Sequence, residues 1–214
     1  MGNEITIVDI GISNIGSVVR AFQHLGVDVG VSRRKADIET ARALVLPGVG
    51  AFGDGMQSLR EANLVEPLRK AAGSGVPLLG FCLGLQLLMD ESEEHGLHEG
   101  LGLVPGRVKR LPEGSEDRVP NMGWCDVLPT SDARLFRGSA QRESFYFVHS
   151  YVAEPRSPKD TAATIEFNGT RVTVAIETGN VFGLQFHPEK SQDAGLVVLN
   201  EYLTVVRANR VAAA

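Results

Sequence analysis

Leu78-Leu79-Gly80-Phe81-Cys82-Leu83-Gly84-Leu85-Gln86 is the stretch whose reading decides the fold. An apolar run over residues 76–81 ends in a cysteine with a glycine two residues to either side, and a helical pattern starts at once. Such a run reads as a strand buried on both faces. Gly80 and Gly84 suit a tight strand-to-helix turn, where backbone and side chains approach too closely for a Cβ. The turn throws the Cys82 sulfur off the carboxyl edge of a sheet and onto a helix N-terminus, whose dipole favours a thiolate. An ordinary thiol, with a pKa of about 8.5, is mostly protonated at neutral pH, so that help matters to a nucleophile. A lone cysteine is more often an inert core residue; the paired glycines weigh against that reading here.

Working outward, residues 5–9 read as a strand that breaks at Gly11. Val18, Val19, Phe22 and Leu25 then share one helical face, with Gly26 as the stop. Strands are expected at 27–31 and 43–46. Residues 56–72 read as helix, interrupted at Pro67 and stopped at Gly73, and the helix after the elbow is expected to span 83–91. Short apolar strands alternating with helices predict a parallel sheet with helices on both faces. The second half changes character. Strands are expected at 104–111, 124–128, 145–152 and 181–186, and segments 161–167 and 171–177 flank Asn168-Gly169, a two-residue hairpin turn. One helix, 193–206, closes the chain. The expected class is α/β, a mostly parallel, flavodoxin-like central sheet with helices on both faces and an antiparallel extension. No repeat or linker divides it, so residues 1–214 are expected to form one domain.

Composition narrows the chemistry. A chain of 214 residues can bury roughly 70% of its unfolded surface without a disulfide or metal staple. Its 21 basic and 26 acidic residues give a net charge of -5, and no basic stripe is present, which argues against nucleic acid as partner. Two cysteines, Cys82 and Cys125, fit a reducing cytoplasm. No apolar run is long enough to span a membrane, and the N-terminus lacks a basic leader. Met1-Gly2 with Thr6 matches an acylation pattern, but residues 5–8 already read as a buried strand.

A thiolate needs a proton shuttle. His24 reads as a solvated helix residue and His149 as a packed core histidine. His95 and His98 lie in an acidic loop with no persuasive third ligand, so no metal site is expected. His187 ends a strand and precedes Pro188-Glu189. Pro188 holds it extended, and Glu189 can accept from one ring nitrogen and leave the other for the sulfur. Alone, His-Pro-Glu is a weak signal; with Gly-x-Cys-x-Gly about a hundred residues upstream it is a strong one. Pro47-Gly48-Val49-Gly50 closes the third strand, and such a loop can supply an N–H to an oxyanion beside that of Leu83.

Gly80-Phe81-Cys82-Leu83-Gly84-Leu85-Gln86 with His187-Pro188-Glu189 resembles the class I (triad) glutamine amidotransferases. Residues 47–52 (PGVGAF), 121–124 (NMGW), 146–151 (YFVHSY) and 185–191 (QFHPEKS) narrow the resemblance to the glutaminase subunits of imidazole glycerol phosphate synthase. The resemblance implies a Cys82-His187-Glu189 triad that hydrolyses L-glutamine through a thioester. Leu83 and the Val49-Gly50 peptide would form the oxyanion hole, the latter after a backbone flip. Gln86, Glu94, Ser150 and Tyr151 would hold glutamine, with the choice among the carboxylates of 91–94 left open. It implies no cofactor. It also implies a heterodimer with a (β/α)₈ cyclase, which would take the ammonia to make imidazole glycerol phosphate and AICAR in histidine biosynthesis. Asn14, Asn121, Met122, Trp124, Tyr146 and Lys190 would lie at or near that interface. Two departures stand out: Asp9-Ile10-Gly11-Ile12-Ser13-Asn14 replaces the family's Asp-Tyr-Gly-x-Gly-Asn, and Cys125 stands where Asn is usual.

Chemistry also calls for a partner. Ammonia free in neutral water is mostly ammonium, so it must travel a dry route to its acceptor. Only 25 residues follow Glu189, and no phosphate-cradling Gly-x-x-x-x-Gly-Lys is present. The competing readings are the glutaminase subunit of another synthase, such as that of pyridoxal phosphate, a stand-alone cysteine hydrolase, and a non-catalytic α/β module with a structural cysteine.

Overall fold

The computed structural model describes residues 3–139 and 142–212. Met1-Gly2 of the acylation pattern lie outside the described residues. In the first half, β1 (Ile5–Val8), β2 (Val29–Ser32), β3 (Leu44–Gly48) and β4 (Leu78–Cys82) alternate with α1 (Ile15–His24), α2 (Lys35–Glu39), α3 (Phe52–Glu61) and α4 (Val65–Gly73). Then follow α5 (Leu83–Leu87), β5 (Met89–Ser92), β6 (His98–Glu99), β7 (Val104–Arg110), β8 (Asn121–Pro129), β9 (Glu143–His149) and β10 (Tyr151–Pro155). β11 (Thr161–Phe167), β12 (Thr170–Thr178), β13 (Val181–Leu184) and α6 (Gln192–Ala212) complete the chain.

The main sheet runs β2-β1-β3-β4-β13-β12-β11-β8-β9. Pairing is parallel from β2 to β13 and antiparallel beyond it. The α/β class and the antiparallel extension are as expected. Alternation along each strand splits the core in two. Val45 and Leu79 face the side covered by α1 and α6, packing with Phe22 and Leu199. Leu44, Leu46 and Leu78 face the other side, with Phe52, Leu59, Leu68 and Leu85 from α3, α4 and α5. Each such buried side chain contributes about 1.5–3 kcal/mol by leaving water. α6 is pinned by Tyr202, whose buried hydroxyl lies 2.9 Å from the Leu44 carbonyl and 3.0 Å from that of Pro77.

Four expectations need correction. The helix over 56–72 is two helices, and the break falls at Asn63, in a left-handed conformation (φ 56°), not at Pro67. Pro67 sits in the first turn of α4, where no N–H is required. The helix over 83–91 stops at Leu87, because Met89–Ser92 pairs with β7 and β6. All five residues of α5 are buried, so no polar face was there to mark its length. The strand over 145–152 is two strands, parted at Ser150. Finally, a separate sheet, β10-β7-β5-β6, and the short helix α2 went unanticipated. The Asn168-Gly169 turn is as read, with φ of 48° and 70°. No helix among the described residues is long and apolar enough to cross a membrane.

Register places the site. Cys82 ends β4, opposite Gly48 at the end of β3, and Phe81 pairs with Leu184 at the end of β13. The loops that carry Val49, Gln185 and His187 therefore leave the sheet's carboxyl edge beside Cys82, where ligands of open α/β sheets bind. Ser150, between β9 and β10, bridges the two sheets above that edge.

Candidate active site

Cys82 adopts φ 52°, ψ −110°, a conformation that L residues rarely hold. The glycines on either side explain how the turn closes. A Cβ on Gly84 would stand 1.7 Å from the Leu46 carbonyl oxygen, and one on Gly80 would stand 2.5 Å from the backbone of Gly84. β4 and α5 thus meet in backbone contact, and the sulfur is left at the mouth of a cleft, 7% of the residue being exposed.

His187 is extended before Pro188, as the X-Pro rule requires. Its N–H donates to the Tyr146 carbonyl (3.0 Å), and its own carbonyl accepts from the Ser191 hydroxyl (2.7 Å), whose oxygen accepts the Tyr146 N–H (3.0 Å). This ring of bonds ties the His187 loop to β9. Nδ1 donates to Glu189 Oε1 at 2.9 Å, and the two side chains are 4% and 3% exposed. Nε2 is buried without a hydrogen-bond partner. Burial pushes the imidazole's pKa down, but the Cys82 side chain and then Glu189 outweigh it, and the value is raised to about 9.

The cleft over Cys82 has a volume of about 260 Å³ and is lined by Val49, Gly50, Leu83, Gln86, Glu94, His149, Ser150 and Tyr151 as well as the cysteine. That lies just under the ~300 Å³ lower end of drug-sized pockets and suits an amino acid. All four residues expected to hold substrate, Gln86, Glu94, Ser150 and Tyr151, are in its wall. Of the run 91–94, Glu94 faces the cleft, with Oε2 accepting the Phe52 N–H at 2.7 Å. Glu93 instead accepts the Arg110 N–H, and Glu91 lines a different hollow.

One N–H of the expected oxyanion loop is already engaged. The Val49 N–H donates to the Ile12 carbonyl at 2.9 Å and is not available to a substrate. Gly50 lies at φ 98°, a conformation open to glycine, with nothing within 4 Å of where a Cβ would be. Leu83 is the first residue of α5, where N–H groups have no intrahelical acceptor.

The residues expected at a partner surface divide. Met122 (65% exposed) and Trp124 (50%) project outward from β8, Trp124 meeting Tyr146 edge-on at 6.0 Å and Lys190 lying 5.8 Å above the Tyr146 ring. Asn14 is exposed before α1. Asn121 is different: it is buried, and its Nδ2 lies 3.1 Å from His149 Nε2. Core packing, the ordinary fate of a strand aromatic, does not describe Trp124. His149 is buried as read, but in the cleft wall. Burial drives its pKa down to about 4, the Tyr151 carbonyl opposing and His187 assisting. Cys125 is half-buried, with Sγ 3.4 Å from Asn121 Oδ1, and burial raises its pKa.

Sequence reasoning missed Gln185, which is wholly buried with Nε2 3.7 Å from the Cys82 sulfur. A polar amide inside Val181-Phe182-Gly183-Leu184-Gln185-Phe186 was the available signal, since buried polar groups rarely lack a purpose. Among the described residues, no group of His, Cys, Asp and Glu is placed to hold a metal ion.

A nucleophilic elbow at a sheet's carboxyl edge, a buried His–Glu pair beside it and an amino-acid-sized cleft define a triad amidotransferase. A family model described as glutamine amidotransferase class-I matches residues 6–202. The imidazole glycerol phosphate synthase subunit HisH of Moorella thermoacetica is 48% identical over 203 residues, covering 95% of each chain. That of Chlorobium chlorochromatii is 47% identical over 196 residues, covering 92% of this chain and 97% of the relative. Among solved structures, PurLQS from Thermotoga maritima matches with a TM-score of 0.75 at 19% identity, covering 96% of this chain and all of that one, which speaks for the fold. The chain therefore belongs to the class-I glutamine amidotransferases and, within them, to the HisH glutaminase subunits of imidazole glycerol phosphate synthase, in histidine biosynthesis.

Proposed function

We propose that Cys82 attacks the side-chain amide of L-glutamine as a thiolate, with His187 and Glu189 completing the triad. The Cys82 sulfur bonds the amide carbon, and the tetrahedral adduct collapses as His187 Nε2–H protonates the departing nitrogen. Ammonia leaves and a glutamyl thioester remains. His187, now neutral, takes a proton from water. The hydroxide adds to the thioester carbon, glutamate departs, and the sulfur is anionic again beside a protonated imidazole. Glu189 holds the ring in the tautomer that points Nε2 at the sulfur. The observation that carries this reading is the division of labour on His187: Nδ1 is bonded to Glu189, while Nε2 is buried, unpartnered and within electrostatic reach of Cys82.

Glutamine lies in the cleft with its α-ammonium toward Glu94 and its amide carbonyl toward the Leu83 N–H. The second oxyanion donor comes from the Val49-Gly50 peptide once it turns. The N–H of that peptide belongs to Gly50; the Val49 N–H, on the peptide before it, is tied to the Ile12 carbonyl and anchors the loop. Turnover waits on the turn of the Val49-Gly50 peptide that completes the half-built hole. Removing one donor of such a pair lowers rates by about 10²–10³. The whole chain acts as one functional domain in the cytoplasm, docked to a (β/α)₈ cyclase through Met122, Trp124, Tyr146 and Lys190, with Asn14 near the rim. Ammonia passes directly to the cyclase. Support for a docking surface here is the exposed Met122–Trp124 pair beside the cleft, since exposed aromatics of this kind are enriched at interfaces. The test is glutamine hydrolysis by the purified chain with and without the cyclase and its nucleotide ligand. Turnover is expected to rise about 10²-fold or more on adding both; full turnover by the isolated chain contradicts the half-built hole.

A further inference from the structure

A buried primary amide is costly unless its polar atoms all find partners. Gln185 meets that condition in the middle of the site. Its backbone N–H donates to the Val174 carbonyl at 2.8 Å, its Oε1 lies 3.1 Å from Gln86 Nε2, and its Nε2 lies 3.7 Å from the Cys82 sulfur. One atom fixes how these amides are turned: the Tyr151 carbonyl oxygen. A carbonyl only accepts, so Gln86 must present Nε2 to it, at 3.0 Å. The second N–H of Gln86 then reaches Gln185 Oε1, and Gln185 is left with only N–H groups to turn toward the sulfur. The same carbonyl accepts Nδ1–H of His149 at 2.8 Å, which leaves His149 Nε2 to accept from Asn121. Every orientation in the chain follows from that one acceptor.

We propose that Gln185 is a positioning residue for the nucleophile: it donates an N–H to the Cys82 sulfur and, through its carbonyl oxygen, holds Gln86 so that Gln86 offers an acceptor to the cleft. This deepens the reading of Cys82 as the glutamine-attacking group and rests on it. The thiol has a competing partner, since Sγ can donate to the Val148 carbonyl at 3.9 Å. That carbonyl favours the neutral thiol and repels the anion. The Gln185 N–H works in the opposite sense, because hydrogen bonds to an ionised acceptor are about twice as strong as neutral ones. Gln86 lines the cleft with both N–H groups occupied, so only its carbonyl oxygen is left for substrate. An α-ammonium or amide N–H on the ligand suits it; a carboxylate does not.

Two variants of the full chain test this. Gln185→Met keeps length and removes both polar atoms; Gln185→Glu keeps shape and replaces the donor with a carboxyl. Three quantities are read: the pH profile of Cys82 alkylation by iodoacetamide, followed on the Cys82 peptide by mass spectrometry so that Cys125 does not contribute; kcat and KM for glutamine; and the melting temperature. In Gln185→Met the alkylation midpoint is expected to rise by about one pH unit, with kcat down about tenfold, the loss of one charge-assisted bond. Gln185→Glu is expected to shift the midpoint at least as far, and it decides the matter should Gln185→Met not fold. KM is expected to rise in Gln185→Met, where Gln86 loses its anchor. A purely structural role would lower the melting temperature and leave the alkylation profile on that of the wild type, and that result overturns the proposal. Failure of the underlying reading looks different: Cys82→Ser would still hydrolyse glutamine.

Discussion

His187 donates Nδ1–H to Glu189 Oε1 across 2.9 Å, with both side chains sealed from solvent. Three consecutive residues build this pair, because Pro188 fixes His187 as extended and opens a short 3₁₀ turn that brings Glu189 back beneath the ring. A second buried imidazole, His149, lies in the cleft wall with opposite electrostatics. Cys82 and Glu189 hold the first toward the charged form against its burial, while burial keeps the second neutral.

Those two histidines set a pH window for stability. His187 is raised to about 9 in the folded chain, so its contribution is complete below its unfolded value of about 6.5 and disappears as pH climbs through 9. His149 is lowered to about 4, so its contribution is complete above about 6.5 and is lost as pH falls toward 4. Urea unfolding across pH 4–9 is expected to give greatest stability near pH 6–7 with a decline on both sides. His149→Gln is expected to flatten the acid limb and leave the alkaline limb in place.

Backbone contact at the elbow separates two glycines that look alike in sequence. Gly84→Ala would drive a methyl into the Leu46 carbonyl, and neither backbone can retreat without opening the sheet. A loss of about 3 kcal/mol or more is expected in urea titration. Gly73→Ala, at the end of α4 with nothing within 4 Å, is expected to be neutral or to stabilise by up to about 1 kcal/mol through the unfolded state.

Trp124 gives a third separation. It is half exposed and touches Tyr146 only edge-on, so Trp124→Ala is expected to change the chain's own stability by no more than about 1 kcal/mol. Affinity for the cyclase, measured by titration calorimetry, is expected to fall about tenfold or more. Unchanged affinity moves the docking surface elsewhere.

How legible all this was in the sequence depended on whether the signal was local. Gly80 and Gly84 around Cys82, and Pro188 between His187 and Glu189, impose geometry within a few bonds, so elbow and His–Glu pair could be read directly. α5 and β5 could not be told apart, because Leu83–Met89 is buried throughout and buried runs carry no period. Ser150 gave no hint that β9 and β10 belong to different sheets, since its break is set by tertiary pairing of β10 with β7. The inward turn of Asn121 and the role of Gln185 depend on partners 28 and 99 residues away, His149 and Gln86. The Val49 N–H pointed at Ile12 is likewise a long-range bond that no motif encodes.

The most direct test of the central claim is to quench the chain, with its cyclase, during glutamine turnover at low pH and map the acylated residue by mass spectrometry. A glutamyl group on the Cys82 sulfur, absent from Cys82→Ser, is the expected result, together with loss of hydrolysis by a factor of about 10³ or more in that variant. Undiminished hydrolysis by Cys82→Ser, or a glutamyl group found on Cys125 in its place, contradicts the account.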